Sequence, residues 1–308
     1  MKLSIVATLY QSAPYIAEFH QRASVAAGQL VGDDYEIVLV NDGSPDNCLD
    51  LAIRLAESDG HVVVVDLSRN FGHHKAMMTG LAHAKGEQIF LIDSDLEEEP
   101  EWLLSFAKEF EAEECDVVFG VQQQRKGKGF ERITGRWFWR LFNLLTGLQL
   151  PENVATARLM SRRYVDALLT HREREVFMAG LWHTTGFKQV PQTIQKKSIG
   201  ATTYTLRRKM SLFVNSITSF SNAPLVSIFY LGLLISLTAV IYIAYLFFNW
   251  LLVSKPLSGW TSVMASIWLL GGLIMSSVGV VGIYMSKIFS ETKQRPYSIV
   301  RQIFGRNQ

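Results

Sequence analysis

The chain contains 308 residues, of which 48% are hydrophobic and 19% are charged, and its formal net charge is +2 at pH 7. The small net charge gives no sign of a nucleic-acid partner, and the two cysteines fit a reducing compartment rather than a disulfide scaffold. A composition this apolar excludes an ordinary soluble enzyme, and the hydrophobic excess lies in the last third of the sequence.

Apolar strand patterns and helical patterns alternate over the first part of the chain. We predict strands at residues 3–9, 36–41, 62–67, 88–93 and 116–121. We predict helices at residues 15–30, 45–58, 75–84 and 101–112. Ser44 is predicted to cap the second helix, which has Pro45 in its first turn. Nearly continuous apolar strands alternating with helices indicate an α/β fold whose central sheet is mostly parallel and covered on both faces.

Polar residues follow two of these strands, at 41–44 and at 93–95. In parallel sheets, ligands bind beyond the carboxyl ends of the strands, so both segments are expected at one edge of the sheet. Asp93 and Asp95 flank a single residue at the tip of a buried strand and can share one hard divalent cation, Mg²⁺ or Mn²⁺. The alternative is ordinary turn chemistry, which also favours Asp.

Two further groups of potential ligands near these strands are not predicted to bind metal. The acidic residues 97–99 fit a solvated turn. His73, His74 and His83 cluster near one predicted helix, but they lack the spacing and the cysteine partners of a metal signature.

Two amphipathic segments follow the sheet pattern. At residues 130–150, arginines recur every four residues opposite Trp and Leu side chains, which suits a helix lying in a membrane interface. A helix packed on the sheet is the alternative. A second segment, 206–222, carries Arg207, Arg208 and Lys209, which would meet anionic headgroups.

Two stretches of the C-terminal third, 211–254 and 256–286, contain no charged residue. Both exceed the ~20 apolar residues that span a bilayer, so we predict membrane helices at 225–252 and 260–283. A buried helix pair in a soluble protein is the alternative. Basic residues flank the pair on both outer sides, which places the catalytic part and both termini in the cytoplasm. The predicted divisions are a catalytic domain at 1–205, a juxtamembrane helix at 206–222, a transmembrane hairpin at 223–286 and a cytoplasmic tail at 287–308.

Six landmarks occur in order along the chain. They are residues 4–10 (SIVATLY), 36–46 (EIVLVNDGSPD), 69–72 (RNFG), 93–96 (DSDL), 158–161 (RLMS) and 197–204 (KSIGATTY). Together they resemble family 2 glycosyltransferases of the GT-A fold, and among them the polyprenyl-phosphate type, such as dolichol-phosphate mannose synthases and bacterial undecaprenyl-phosphate sugar transferases. The resemblance covers nearly the whole chain. It implies transfer of one sugar from a nucleotide-sugar donor to a polyprenyl phosphate at the cytoplasmic leaflet of the membrane, with inversion and in a possible homo-oligomer.

The resemblance also implies roles for individual residues. The donor nucleotide would contact Thr8, Leu9, Tyr10, Asp42, Arg69, Asn70, Asp93 and Ser94. The Mg²⁺ or Mn²⁺ ion would be held by Asp93 and Asp95, which form the predicted catalytic set together with Arg158. The acceptor phosphate would meet Arg125, Lys196, Lys197 and Tyr204. The simpler alternatives are a plain turn at Asp42 and a surface ion pair at Arg69.

The sequence departs from the family pattern in several places. Asn41 replaces a common Asp, the opening around Leu9 lacks the usual Pro and acid, and Lys197 replaces an Arg. Thr156 stands where many members carry an Asp that is the candidate catalytic base. A phosphomonoester is largely dianionic at pH 7 and needs positioning by cations rather than deprotonation, so a lipid-phosphate acceptor is compatible with the missing base.

Three other functions compete with this one. A transferase acting on a hydroxyl of a lipid-linked oligosaccharide or polysaccharide would need a base that is not evident, and Arg136-Trp137 lacks the Gln of the Gln-x-x-Arg-Trp motif of processive synthases. A non-catalytic membrane adaptor is disfavoured by the intact Asp93 and Asp95. A dinucleotide-binding oxidoreductase would need a Gly-x-Gly-x-x-Gly run after the first strand, which this chain does not have.

Overall fold

The computed structural model describes residues 1–122, 153–174, 176–196, 218, 221–253 and 259–305. The predicted interfacial helix at 130–150 and nearly all of the predicted segment 206–222 lie outside the described residues, as do the site residues Arg125, Lys197 and Tyr204. The chain divides into two compact units. The first is Met1–Trp139, Gln149–Tyr204 and Arg295–Gln308, and the second is Arg140–Leu148 and Thr205–Gln294.

The first unit is built on one sheet, which contains eight strands among the described residues, in the order β7-β5-β6-β4-β1-β2-β3-β8. The strands are β1 (Leu3–Leu9), β2 (Tyr35–Asn41), β3 (Val62–Leu67), β4 (Gln88–Asp93), β5 (Val117–Gln122), β6 (Val154–Ser161), β7 (Gln189–Ile194) and β8 (Val300–Phe304). Strands β4, β1, β2 and β3 are parallel, and so are β5 and β7, whereas β6 runs antiparallel to both of its neighbours and β8 runs antiparallel to β3. The predicted α/β fold with a mostly parallel sheet is confirmed.

Helices alternate with the strands of this unit. They are α1 (Ile16–Val31), α2 (Cys48–Ser58), α3 (His73–His83), α4 (Trp102–Ala112), α5 (Arg162–Leu169) and α6 (Met178–Thr184). Strands β1, β2 and β3 are buried along their whole length, as their continuous apolar runs predict. Helix α1 contributes an apolar stripe that includes Phe19, Ala23 and Ala27 to the core. This packing fixes the carboxyl ends of the strands relative to one another.

Two helix starts differ from the prediction, and both differences affect the candidate site. Helix α2 begins at Cys48 rather than at Pro45, and Ser44 does not cap it, because the Ser44 hydroxyl donates to Asp46 Oδ1 at 2.5 Å. Helix α3 begins at His73, earlier than predicted, after Gly72 at a φ of 99°. His73, which the predicted boundaries leave in a loop, is therefore the first residue of a helix.

The C-terminal strand β8 joins the edge of the sheet beside β3, and the sequence pattern gave no strand there. Its Arg301 guanidinium donates to Asp66 Oδ2 at 3.1 Å and to the Ser68 carbonyl at 2.7 Å. The Ser68 amide in turn donates to the Ile299 carbonyl at 2.9 Å. The chain end therefore pairs with the segment that leads into Arg69 and Asn70.

The second unit contains two long apolar helices among its described residues, α7 (Ala223–Val253) and α8 (Trp260–Thr292). Both predicted membrane segments are therefore helical. Within the described part of the chain, one segment, Leu269–Thr292, is long and apolar enough to cross a membrane, and Ala223–Ala239 is a shorter apolar helix. The Tyr284 hydroxyl donates to the Ser221 carbonyl at 2.6 Å and ties the two ends of this unit together.

Candidate active site

The candidate site lies where β1, β2 and β4 end. Their parallel register pairs Thr8 with Asp93 and Leu9 with Asn41, so the two polar segments predicted at one sheet edge do meet there. The Ser94 hydroxyl donates to the Thr8 carbonyl at 2.7 Å. Three neighbouring strands therefore present Thr8, the start of the Asn41 turn and the Asp93 loop side by side.

The Asp42 carboxylate holds the loop that precedes α3. Its Oδ1 accepts from the Phe71 amide at 2.7 Å, and its Oδ2 accepts from the Gly72 amide at 3.0 Å. Burial raises the pKa of Asp42, and these two backbone donors oppose that rise. Beyond the plain turn that the sequence also allowed, Asp42 thus fixes Phe71 and Gly72, which directly follow the predicted nucleotide-binding residues Arg69 and Asn70.

Gly43 is required by this arrangement. Its φ is +58°, and a Cβ built at this position would lie 2.3 Å from the Asn70 amide nitrogen. Positive φ is unfavourable for residues other than glycine, and here the backbone of a second segment also occupies the space that a side chain would need.

We expect Gly43→Ala to lower the free energy of unfolding by ~2 kcal/mol or more, because it adds backbone strain and forces the Asn70 segment away. Thermal unfolding of the full chain in detergent measures the effect. Gly28→Ala is the matched control, since Gly28 lies within α1 and nothing lies within 4 Å of its added Cβ. That control should be neutral or stabilising by ~0.5–1 kcal/mol. Equal stability of the two variants would contradict the close approach at Gly43.

A side-chain network explains why Asn stands at position 41. The Asn41 Nδ2 donates to Asp66 Oδ1 at 2.8 Å, and Arg301 pairs with the other oxygen of Asp66. The Asn41 Oδ1 accepts from the Ser44 amide at 3.3 Å. A carboxylate at position 41 would face Asp66 with no proton to donate, so this departure from the family pattern fits the neighbouring Asp66.

Asp93 and Asp95 have the features of a cation site that a ligand completes. The Asp93 Oδ1 is buried and makes no well-formed hydrogen bond to any described residue. Burial and the charge of Asp93 both raise the pKa of Asp95. Burial would also raise the pKa of Asp93, but His73 and Lys196 lower it below its ordinary value. A bound cation would give a partner to the buried Asp93 Oδ1, whose 3.3 Å contact with His73 Nε2 is not a well-formed hydrogen bond, and it would relieve the repulsion between the two carboxylates.

Among the described residues, no three His, Cys, Asp or Glu side chains lie close enough together to bind one metal ion. Mg²⁺ commonly takes one or two carboxylates and completes its shell with water and substrate phosphates. The two aspartates therefore fit a cation that arrives with a diphosphate, rather than one that is held permanently by protein side chains alone.

The predicted solvated turn at residues 97–99 is wrong for Glu98. Its side chain is fully buried, its Oε1 accepts from the Thr156 amide at 2.9 Å, and its Oε2 accepts from the Asp93 amide at 3.4 Å. The Lys196 Nζ lies 3.6 Å from Glu98 Oε1 and 3.5 Å from Glu97 Oε2. Burial, followed by the charge of Asp93, raises the pKa of Glu98 to about 7. Glu98 therefore ties the Asp93 loop to β6 at the position where the family base is missing.

We expect wild-type stability to fall as the pH rises from about 4.5 to about 7. In that window the native state keeps the Glu98 proton that the unfolded chain, with a pKa near 4.5, has released. Glu98→Gln cannot titrate and should flatten the decline, by an amount on the order of 2–3 kcal/mol. Thermal unfolding at both ends of the window measures this. Glu57→Gln, at an exposed carboxylate on α2, should keep the wild-type slope, and the same slope in Glu98→Gln would refute the assignment.

Arg158 lies on β6 and lines a cavity of about 680 Å³. The side chain is 1% exposed, and its Cζ stacks 2.9 Å from the centroid of the Trp182 ring. It donates to the carbonyls of Thr156 at 3.3 Å and Ala155 at 3.4 Å. No carboxylate of a described residue lies within ion-pair distance, and burial lowers the pKa of Arg158 to about 9. Trp182 lines the same cavity, and its buried Nε1 has no hydrogen-bond partner among the described residues.

The remaining predicted site residues range from buried to exposed. Leu9 is fully buried in the core, so only its backbone is available to a nucleotide. Tyr10 is 49% exposed beside the site. The exposed Arg69 donates to the Asn70 carbonyl at 3.0 Å and lies 4.2 Å from the Phe71 ring centroid, in place of the surface ion pair considered as its alternative. Lys196 lies by the acidic loop.

His73 is a site residue that the sequence reasoning missed. Its Nδ1 lies 3.0 Å from Thr8 Oγ1, and its Nε2 lies 3.3 Å from Asp93 Oδ1. Burial lowers the pKa of His73, but the contact with Asp93 outweighs burial and the net direction is upward. The sequence offered only its position immediately after Gly72, and that α3 begins at His73 is seen only in the structure.

The fold and the site define a transferase with a GT-A-like domain. The family model described as "Glycosyl transferase family 2" matches residues 4–169. The chain therefore belongs to glycosyl transferase family 2, and it is a glycosyltransferase.

Its similarity to known proteins extends over nearly the whole chain. It is 50% identical over 305 residues to a protein of Mycobacterium tuberculosis (strain CDC 1551 / Oshkosh) named as a glycosyltransferase, covering 99% of this chain and 89% of that one. It is 33% identical over 306 residues to the "Prophage bactoprenol glucosyl transferase homolog" of Escherichia coli (strain K12), covering 98% and 99%. Among solved structures, mannosyl-3-phosphoglycerate synthase from Rubrobacter xylanophilus has a TM-score of 0.46 at 16% identity, covering 70% and 72%, which is too distant to bear on activity.

Proposed function

We propose that this glycosyltransferase moves one sugar from a nucleotide-sugar donor to a polyprenyl phosphate at the cytoplasmic leaflet of the membrane. The observation that carries the proposal is Arg158, a buried cation without an anionic partner among the described residues, on the wall of a cavity that also contains His73. The name of the Escherichia coli relative refers to bactoprenol and supports the same class of acceptor.

The donor occupies the edge formed by β1, β2 and β4. Thr8, the loop fixed by Asp42, and Arg69 surround the nucleotide, and Ser94 holds the Asp93 loop against β1. Asp93 and Asp95 would hold Mg²⁺ or Mn²⁺, and a cation bound there would supply the positive charge that a nucleoside diphosphate leaving group needs. The two carboxylates support this assignment, and one of them has a buried oxygen that makes no well-formed hydrogen bond to a described residue.

The acceptor phosphate enters the cavity and pairs with Arg158. A guanidinium stacked on an indole ring has lost rotational freedom and presents its remaining N–H groups in a fixed plane, which suits a phosphate. The Trp182 Nε1 is a second donor without a partner among the described residues. Lys196, together with Arg125 and Lys197 from segments outside the described residues, would complete the cationic surroundings, and Tyr204 from the same segments would add a hydroxyl donor.

The site works without a carboxylate base. Thr156 occupies the position of the family Asp, and its amide is bonded to Glu98, whose two oxygens both accept from backbone amides. Glu98 is therefore committed to the loop and is not free to remove a proton. A phosphate dianion is already a nucleophile, whereas a sugar hydroxyl is not, so this arrangement favours lipid phosphate over a glycan hydroxyl.

The membrane assignment rests on the second unit. Helices α7 and α8 form a hairpin of two spans in this proposal, with the catalytic domain at 1–205 and the tail at 287–308, which contributes β8 to the catalytic sheet, in the cytoplasm. The length and apolar character of Leu269–Thr292 and the basic residues outside the pair support it. An inverting reaction and a homo-oligomer are the expectations for this type of enzyme.

A donor screen tests the function. The full chain, purified in detergent, is incubated with undecaprenyl phosphate and a panel of nucleotide sugars, with and without Mn²⁺, and the lipid product is examined by mass spectrometry. A single sugar joined through phosphate, formed only with the cation, is the expected product. An extended glycan would support the hydroxyl-acceptor alternative, and no turnover of any donor would refute the proposal.

A further inference from the structure

One imidazole connects two strand ends at the site. The His73 ring contacts Thr8 Oγ1 through Nδ1 at 3.0 Å and Asp93 Oδ1 through Nε2 at 3.3 Å. An ionised carboxylate only accepts hydrogen bonds, so Nε2 carries the hydrogen that faces Asp93. In the neutral ring Nδ1 then accepts from the Thr8 hydroxyl. Both ring nitrogens therefore face a polar partner, Nδ1 in a hydrogen bond with Thr8 and Nε2 in an ion-pair contact with Asp93, and these two contacts set the plane of the ring.

The ring is mounted on rigid elements. His73 is the first residue of α3, and the two residues before it donate their amides to Asp42. The Thr8 carbonyl accepts from Ser94, the residue after Asp93. The ends of β1 and β4 are thus joined twice, once through Ser94 and once through His73, while Asp42 holds the helix start from β2.

We propose that His73 is a positioning residue that fixes the Asp93 carboxylate in the orientation that receives the divalent cation. The inference rests on the proposed function in one respect, the assignment of Asp93 as a ligand. The Asp93 Oδ1 is buried and makes no well-formed hydrogen bond to any described residue, and the His73 Nε2 lies 3.3 Å from it, so the imidazole is the group that the structure places against that oxygen. Groups that orient a ligand in this way commonly change metal affinity 10–100-fold when removed.

A pair of variants separates positioning from simple loss of a polar side chain. In His73→Gln the Nε2 amide can reach the place of the imidazole Nε2 and donate to Asp93. In His73→Asn the side chain is one methylene shorter and cannot reach. His83→Gln and His83→Asn, at the other end of α3, where His83 Nδ1 contacts the Thr79 carbonyl at 2.8 Å, are the matched controls.

The measurement is the binding of Mn²⁺ to the full chain in detergent. Free Mn²⁺ is quantified from its electron paramagnetic resonance signal, with Mn²⁺ alone and with UDP added. We expect His73→Asn to raise the Mn²⁺ dissociation constant about tenfold or more and His73→Gln to raise it less than about threefold. The His83 variants should bind as wild type. Thr8→Val, which removes the partner of Nδ1, should raise the constant by a smaller factor than His73→Asn, and it supplies a second test should a His73 variant unfold.

The outcomes distinguish this inference from the proposed function. Equal Mn²⁺ affinity of wild type, His73→Asn and Thr8→Val would overturn the positioning role while leaving Asp93 as a ligand. Equal losses in His73→Asn and His73→Gln would also overturn it, because the restored amide donor would then have no effect. If the wild-type protein binds no Mn²⁺ with or without UDP, the metal assignment itself fails, and the inference fails with it.

Discussion

Asp95→Asn is expected to abolish sugar transfer while the protein stays folded. The substitution removes one of the two negative charges that hold the cation, and loss of several kcal/mol of charge stabilisation corresponds to a rate decrease of about 10³-fold or more. The amide oxygen of Asn can still accept from the Glu97 amide, which donates to Asp95 Oδ1 at 3.0 Å in the wild-type loop. The measurement is the initial rate of transfer to undecaprenyl phosphate at saturating Mn²⁺.

The stability of the same variant provides a check. Because burial and Asp93 raise the pKa of Asp95, its ionised form destabilises the fold at neutral pH, so Asp95→Asn should unfold at the same temperature as wild type or higher. Asp166→Asn is the matched control, since Asp166 lies on α5 and is 62% exposed beside Arg162. Full transfer activity in Asp95→Asn would refute the cation site, and inactivity of Asp166→Asn would point to a general defect.

Arg158→Met is expected to raise the stability of the protein and to lower its transfer activity. Methionine is apolar and of similar length, and it leaves no buried cation without a partner. The free energy of unfolding should therefore rise by about 1 kcal/mol or more. The loss of a buried charged partner for a phosphate commonly removes 2–5 kcal/mol, so kcat/KM for the lipid phosphate should fall about 10²–10³-fold. Donor binding, measured with a labelled nucleotide, should stay within about twofold because Arg158 lies at the cavity and not at the nucleotide edge.

Two further variants define the interpretation of that result. Arg158→Lys keeps the charge but loses the planar stack on Trp182, and it should fall between wild type and Arg158→Met in kcat/KM for the lipid phosphate. Arg163→Met changes a 72% exposed guanidinium that pairs with Asp116, and transfer should be unaffected. A drop in donor binding equal to the drop in transfer for Arg158→Met would place Arg158 at the donor instead of the acceptor.

Much of the candidate site followed from local sequence. Apolar runs that end in Asn41-Asp42-Gly43 and Asp93-Ser94-Asp95 identify strand ends, and parallel pairing brings such ends to one edge whatever the rest of the fold does. The left-handed turn at Gly43 is likewise a local property. These features depend on side-chain period and turn chemistry, which a few neighbouring residues determine.

Three features could not be read locally. Glu98 looked like a solvated acid because its neighbours are acidic, and only the antiparallel pairing of β4 with β6, which places Leu91 opposite Arg158, brings the Thr156 amide to it. The strand β8 was missed because a five-residue strand at a sheet edge carries little pattern of its own. The role of His73 depended on where α3 begins.

The sequence alone therefore determined the family, the parallel sheet and the edge at which its paired acids lie, because each rests on a run of adjacent residues. The tertiary structure decided which charged groups are buried and which partners they have. Arg158, Glu98 and His73 acquire their surroundings from residues far away in the chain, and the environment that sets their chemistry exists only when those segments pack together.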